Sequence, residues 1–112
     1  MNTKINAFAG LLLSAYGLAY AADEYSAHLA RALEVAGTAI SHGEARHPSL
    51  SAEHAEEAIK HAQAANQHHP NPHLEEAVNH LKTAIEHSKM HHSDVAAEHA
   101  KQAVAHLKAA QQ

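Results

Sequence analysis

The chain has 112 residues, twelve acidic and eight basic, for a formal charge of −4 with neutral histidines, and it contains no cysteine. A chain this short and acidic fits one small domain and is a poor partner for nucleic-acid phosphates. Without a thiol there is no disulfide framework, thiolate zinc centre, iron–sulfur cluster or C-x-x-C-H haem attachment.

Met1 to Lys4 is a short basic start, Ile5 to Tyr20 is apolar, and Ala19-Tyr20-Ala21 has the small-x-small pattern of a cleavage site. The sequence therefore predicts a signal peptide over 1–21, cut between Ala21 and Ala22, and a periplasmic mature protein. Gly10, Gly17, Asn6 and Ser14 interrupt the apolar run, which weighs against a membrane-spanning helix. With no cysteine to carry a lipid, no membrane association is expected after cleavage. Residues 22–112 keep seven basic and twelve acidic residues, a formal charge of −5, and all fourteen histidines.

Breakers divide this segment into four stretches rich in Ala, Glu, Lys and Leu. A first helix is expected over about 23–42, with Asp23 and Glu24 complementing its dipole and Gly43 as the residue just past its end. Gly37 inside it costs about 1 kcal/mol against alanine. A second helix spans about 49–67, with Pro48 either its first residue or just ahead of a Ser49 cap. The third, about 72–90, has the clearest start, Asn71 as N-cap and Pro72 at the first position. The fourth, about 94–110, opens at a Ser93 cap followed by Asp94.

Each helix carries an apolar stripe at three- and four-residue spacing. In chain order the stripes are Leu29, Leu33, Ala36, Ile40; Ala52, Ala55, Ile59, Ala62; Leu74, Val78, Leu81, Ile85; and Ala97, Ala100, Val104, Leu107. Alanines 58, 77, 84 and 103 widen them on one side. Such faces, joined by short connections, predict an all-α, up-down-up-down antiparallel four-helix bundle. Its core is thin, because alanine buries little area per residue of backbone ordered.

Histidine is the anomaly. The fourteen candidates for metal ligation are His28, His42, His47, His54, His61, His68, His69, His73, His80, His87, His91, His92, His99 and His106. Twelve of them keep a seven-residue step: 47/54/61/68, 73/80/87, 92/99/106, and 28/42 with Val35 between them; only His69 and His91 stand outside. The local unit is A-[I/V]-x-H, at 39–42, 58–61, 77–80, 84–87 and 103–106. A heptad step places the imidazoles along the border of the apolar face, in rungs about 10 Å apart. One metal cannot join two rungs of one helix, so each rung needs partners from elsewhere.

Candidate partners are the i,i+4 pairs Glu24/His28, Glu57/His61, Glu76/His80 and His87/His91, and the i,i+3 pairs His54/Glu57 and His73/Glu76. In an up-down bundle His42, His47, His87, His91 and His92 are expected at one end, and His28, His68, His69, His73 and His106 at the other. Imidazole with carboxylate suits Cu(II), Ni(II) and Zn(II), and the affinity order favours copper. A lone helical histidine is as a rule only a solvated surface residue; the metal argument rests on the set. The implied partners are transition-metal ions, and bridging imidazoles could join chains into a metal-bridged homo-oligomer.

A second reading is a pH-responsive periplasmic stress or chaperone-like protein. Protonating all fourteen histidines carries the formal charge from −5 to +9, centred near pH ~6.5. No activated nucleophile or phosphate-cradling loop is visible, and no enzyme is expected.

The stretches S-A-E-H-A-E-E-A-I-K-H-A at 51–62, L-E-E-A-V-N-H-L-K-T-A-I-E-H at 74–87 and A-E-H-A-K-Q-A-V-A-H-L-K at 97–108 resemble the bacterial periplasmic small metal-binding protein family. The resemblance implies a cysteine-free helical bundle of histidine-bearing seven-residue repeats. It also implies binding of several divalent metals, copper most notably, in scavenging or copper homeostasis. The matched positions are His54, His61, His80, His87, His99 and His106, with His47 and His73 at helix starts; Val35 departs from the repeat.

Overall fold

A computed structural model describes residues 24–112. The signal peptide expected over 1–21 lies outside these residues. Four helices follow in order: α1 over 24–44, α2 Pro48–His68, α3 Pro72–Lys89 and α4 Ser93–Ala109, with no strand among the described residues.

Polar contacts between neighbouring helices give their directions. Along α1 and α2, Glu24 meets His68 at 3.2 Å, Arg31 meets Glu57 at 3.0 Å, and Ser51 Oγ donates to the Ala39 carbonyl at 2.9 Å. The start of α1 thus lies beside the end of α2. At the α1–α4 seam Tyr25 OH donates to the Ala110 carbonyl at 2.8 Å, and Glu44 pairs with Lys101 at 3.0 Å, so these two also run antiparallel. The result is an up-down-up-down antiparallel four-helix bundle, closed by α1 against α4.

Proline sets two helix starts, Pro48 in α2 and Pro72 in α3, where a missing N–H costs nothing. Asn71 caps α3, its side-chain oxygen accepting from the His73 N–H at 2.9 Å. The other two connections share one device. Arg46 (φ 61°) and His91 (φ 60°) are left-handed. His47 N–H reaches the His42 carbonyl and His92 N–H the His87 carbonyl, each at 2.8 Å, while Arg46 N–H bonds Gly43 O and His91 N–H bonds Ser88 O. Both α1 and α3 therefore end in Schellman motifs, and the last residue of each motif doubles as N-cap of the next helix.

Two expectations about helix ends are corrected by this arrangement. Gly43 is not the residue past the end of α1; the helix continues to 44, and Gly43 is buried inside it. A Cβ there would lie 3.1 Å from Ala97 Cβ and 3.2 Å from the Ser93 carbonyl, so the glycine serves close approach of α1 to α4. Ser93 is not the cap of α4; it is the first helical residue, and buried, because His92 takes the cap position without a side-chain hydrogen bond.

The core is largely alanine, with Leu29, Leu74, Leu81 and Leu107 its largest fully buried side chains. The buried line of α2 is Ser51, Ala55, Ala58, Ala62 and Ala65, while Ile59 is only half-buried. Likewise Leu33, Ile40 and Val104 flank the core, and Ala32, Ala39 and Ala103 sit at its centre. The true core line is thus rotated roughly 30–60° from the expected stripes, toward the side that carries histidine. Alanine at the contact lets the helices approach closely, and the larger residues close the margins.

The two described glycines should respond oppositely to alanine. Nothing lies within 4 Å of a Cβ at Gly37, so G37A gains helix propensity and stabilises by about 1 kcal/mol. At Gly43 overpacking of about 1–3 kcal/mol opposes that gain, so G43A is less stable than wild type. Urea melts of the two variants check the ordering.

Candidate metal centre

The rotation of the core line turns the histidines from the outer border of each helix toward the seam with its hairpin partner. Heptad rungs from two antiparallel helices then interleave. Between α3 and α4 the result is continuous. His73 and His106 face each other with Nδ1 atoms 3.1 Å apart, His80 and His99 at 3.3 Å, and His87 and His92 at 3.4 Å. Stacked rings link the pairs, His80 on His106 and His87 on His99, each with centroids 5.6 Å apart.

Between α1 and α2 the ladder is interrupted. His28 and His61 have Nδ1 atoms 3.2 Å apart, and His28 stacks on His68 at 6.1 Å. His42 stacks on His54 at 5.3 Å and lies 5.9 Å from His47. Val35, buried in the core, stands between the two groups.

Within the α3–α4 ladder Glu76, His80 and His106 offer one ligand atom each, all within 4.8 Å of one another. Metal–nitrogen bonds of 2.0–2.1 Å in a tetrahedral shell separate two donor atoms by about 3.3–3.4 Å. The facing Nδ1 atoms already stand at that separation. His54 Nδ1 is buried without a hydrogen-bond partner and lies 3.7 Å from Glu57 Oε1. Neutral imidazoles with an adjoining carboxylate are borderline donors for divalent transition metals, so the residues present fit such an ion.

Burial lowers the pKa of His61 below its usual value, and His28 and Arg31 push the same way against Glu57. His80 is lowered first by burial, then by His99 and His106, against Glu76. Both shifts favour the neutral form, which has a free lone pair.

Several expected pairings are replaced. His87 meets His92 and not His91, because the helix ends before His91, whose left-handed backbone takes it off the i+4 position. Glu24 bonds His68 and not His28; Glu57 is held by Arg31. The two end clusters drawn from both hairpins do not form: among the described residues every histidine ring contact lies within one hairpin. His69 packs edge-on against Tyr25, at 5.2 Å. His91 is exposed in the α3–α4 turn. The interleaving had a signal in the chain: His28, His42, His47, His54 and His61 recur 45 positions later as His73, His87, His92, His99 and His106.

A small antiparallel bundle with facing imidazoles along two seams and a carboxylate among them defines a helical metal-binding protein. The model of the small metal-binding protein family matches residues 1–110, and the chain belongs to that family. No curated protein matches it.

Because the folded chain takes protons at His61 and His80 less readily than the unfolded chain, their contribution to stability is complete above the unfolded value of about 6.5. It is lost as pH falls through the lowered folded values. Chelator-treated protein should therefore melt at progressively lower temperature from pH 7.5 to pH 5, and H80N should flatten that dependence. A melting temperature constant over this range would contradict the burial of these rings.

Proposed function

We propose that the protein sequesters or buffers divalent transition metals in the periplasm, Cu(II) foremost and Ni(II) and Zn(II) more weakly, through its paired heptad histidines. The observation that carries this reading is the set of facing Nδ1 atoms at 3.1–3.4 Å beside a carboxylate within ligating reach. For a metal ion to be held by both Nδ1 atoms of such a pair, the donating ring would carry its proton on Nε2 instead, which frees its Nδ1 lone pair. Family membership supports metal as the cargo, and the affinity order of divalent ions supports copper. The periplasmic location rests on the basic, apolar and small-x-small pattern of 1–21. No helix among the described residues is long and apolar enough to cross a membrane.

An ion that binds only the folded form stabilises it by about 2.7 kcal/mol at a hundredfold excess over Kd. Cu(II) should raise the melting temperature of the metal-stripped protein more than Ni(II) or Zn(II) at equal concentration. The rise should shrink below pH ~6.5, where protons compete for imidazole. An unchanged melting temperature with several equivalents of Cu(II) per chain would overturn the reading.

A further inference from the structure

The 45-position recurrence is carried by more than histidine. Thr38-Ala39-Ile40 returns as Thr83-Ala84-Ile85, and Glu53-His54-Ala55 as Glu98-His99-Ala100. The three-dimensional features repeat in step. Both turns have the same 2.8 Å closing hydrogen bond, from His47 to His42 and from His92 to His87. The facing pair His28–His61 at 3.2 Å corresponds to His73–His106 at 3.1 Å. The stack of His42 on His54 corresponds to that of His87 on His99. The α1–α2 and α3–α4 hairpins are two copies of one unit.

The copies differ where the cation group lies. His106 has its counterpart in His61, but Glu76 corresponds to Arg31 and His80 to Val35. Two of the three ligands are thus missing from the first hairpin. Nor is the loss made good from α2. Glu57 is the carboxylate next to His61 by helical spacing, yet Arg31 binds it at 3.0 Å while also bonding Glu34. A guanidinium stands where the second hairpin has a carboxylate, and it engages both Glu34 and Glu57, which keeps those carboxylates from ligating beside His28 and His61. Val35 is turned into the core, so no ring bridges the His28–His61–His68 group to the His42–His47–His54 group.

We propose that the protein is a duplicated metal-binding hairpin whose copies have diverged: the α3–α4 seam holds the tight divalent-cation site at Glu76, His80 and His106, and Arg31 and Val35 have closed the equivalent site between α1 and α2. The first hairpin then offers separate histidine groups whose neighbouring carboxylates, Glu24 at His68 and Glu57 at His54, each meet one ring, and the three-ligand group found among the described residues is the one at Glu76, His80 and His106. This assignment rests on the metal-binding reading and locates its principal site. The ligand class is a divalent transition-metal ion that accepts two imidazoles and one carboxylate.

Exchanging the two patterns tests it on the full mature chain, with Cu(II) alone as probe and a competing chelator to isolate tight binding. E76R/H80V writes the first hairpin's residues into the second; it should lose one tight equivalent and bind the remaining Cu(II) at least about tenfold more weakly. R31E/V35H writes the second pattern into the first and should gain one tight equivalent. Circular dichroism verifies folding, and should the new histidine at the buried position 35 disturb it, E76R/H80V decides alone. Tight stoichiometry and affinity unchanged in folded E76R/H80V would overturn the asymmetry while leaving metal binding intact. Failure of the wild type to compete with the chelator for any Cu(II) would overturn the metal-binding reading itself, and this assignment with it.

Discussion

Close approach of alanine-faced helices is the constraint from which the other features follow. Where Ala55, Ala58, Ala62 and Ala65 of α2 meet the bundle centre, no side chain projects far enough to hold the helices apart. The larger residues, Ile59, Leu33, Ile40 and Val104, are displaced to the margins. Had they formed the centre, the histidines two residues beyond Ile59 and Val104 would stand further from the contact and out into water. The narrow core instead draws His61 and His106 into half-buried seams, and a seam shared by two antiparallel heptad patterns brings rings from both sides to a common level. The same narrowness explains Gly43: where α1 meets α4 there, a Cβ would crowd Ala97 and the Ser93 carbonyl.

An alanine core has an energetic consequence that bears on the cargo. Stability from burial scales with apolar area, and a methyl group supplies little of it per residue whose backbone is ordered. Four large leucines anchor the centre, and the remainder of the stability comes from many small contacts. A domain so built has room to gain from any ion that bridges two helices of a hairpin, since ligation then adds to folding free energy. Such bridging is available in each seam where a ring of one helix faces a ring of the next.

Much of the architecture was legible in the chain because periodicity is a local property. Four helices, their antiparallel order and the heptad placement of histidine follow from spacing, from Asn71-Pro72 and from short connections. What was hidden depended on interactions between helices. The glycine after His42 looks like a terminator, but its neighbour in space, Ala97, is 54 positions away and is invisible to a local pattern. The left-handed residues are Arg46 and His91, neither a glycine, so no residue type marked the turns. The rotation of the core line escaped because hydropathy ranks isoleucine above alanine, whereas packing at short range ranks them by size. Stripes led by isoleucine place the imidazoles at helix borders, whereas alanine-led packing places their partners across each hairpin seam. Arg31 and Val35 were readable only once the hairpins were seen as copies; until then Val35 was merely a gap in a repeat.

The facing histidines also show why neutral imidazole, and not a fixed charge, suits this seam. Two nitrogens 3.1–3.4 Å apart can share one proton, one ring donating and the other accepting. Two protons would place like charges in contact, which is one cause of the lowered pKa of His80 beside His99 and His106. Lysine or arginine in those positions would repel at neutral pH, and so would carboxylates until a cation arrived. Imidazoles can bridge the seam through one Nδ1–H, and a change of tautomer that moves this proton to Nε2 would free both Nδ1 lone pairs for a metal. Glu76 is exposed at the rim of this seam, within ligating reach of the stacked and half-buried His80 and His106, so a negative charge lies at its outer edge.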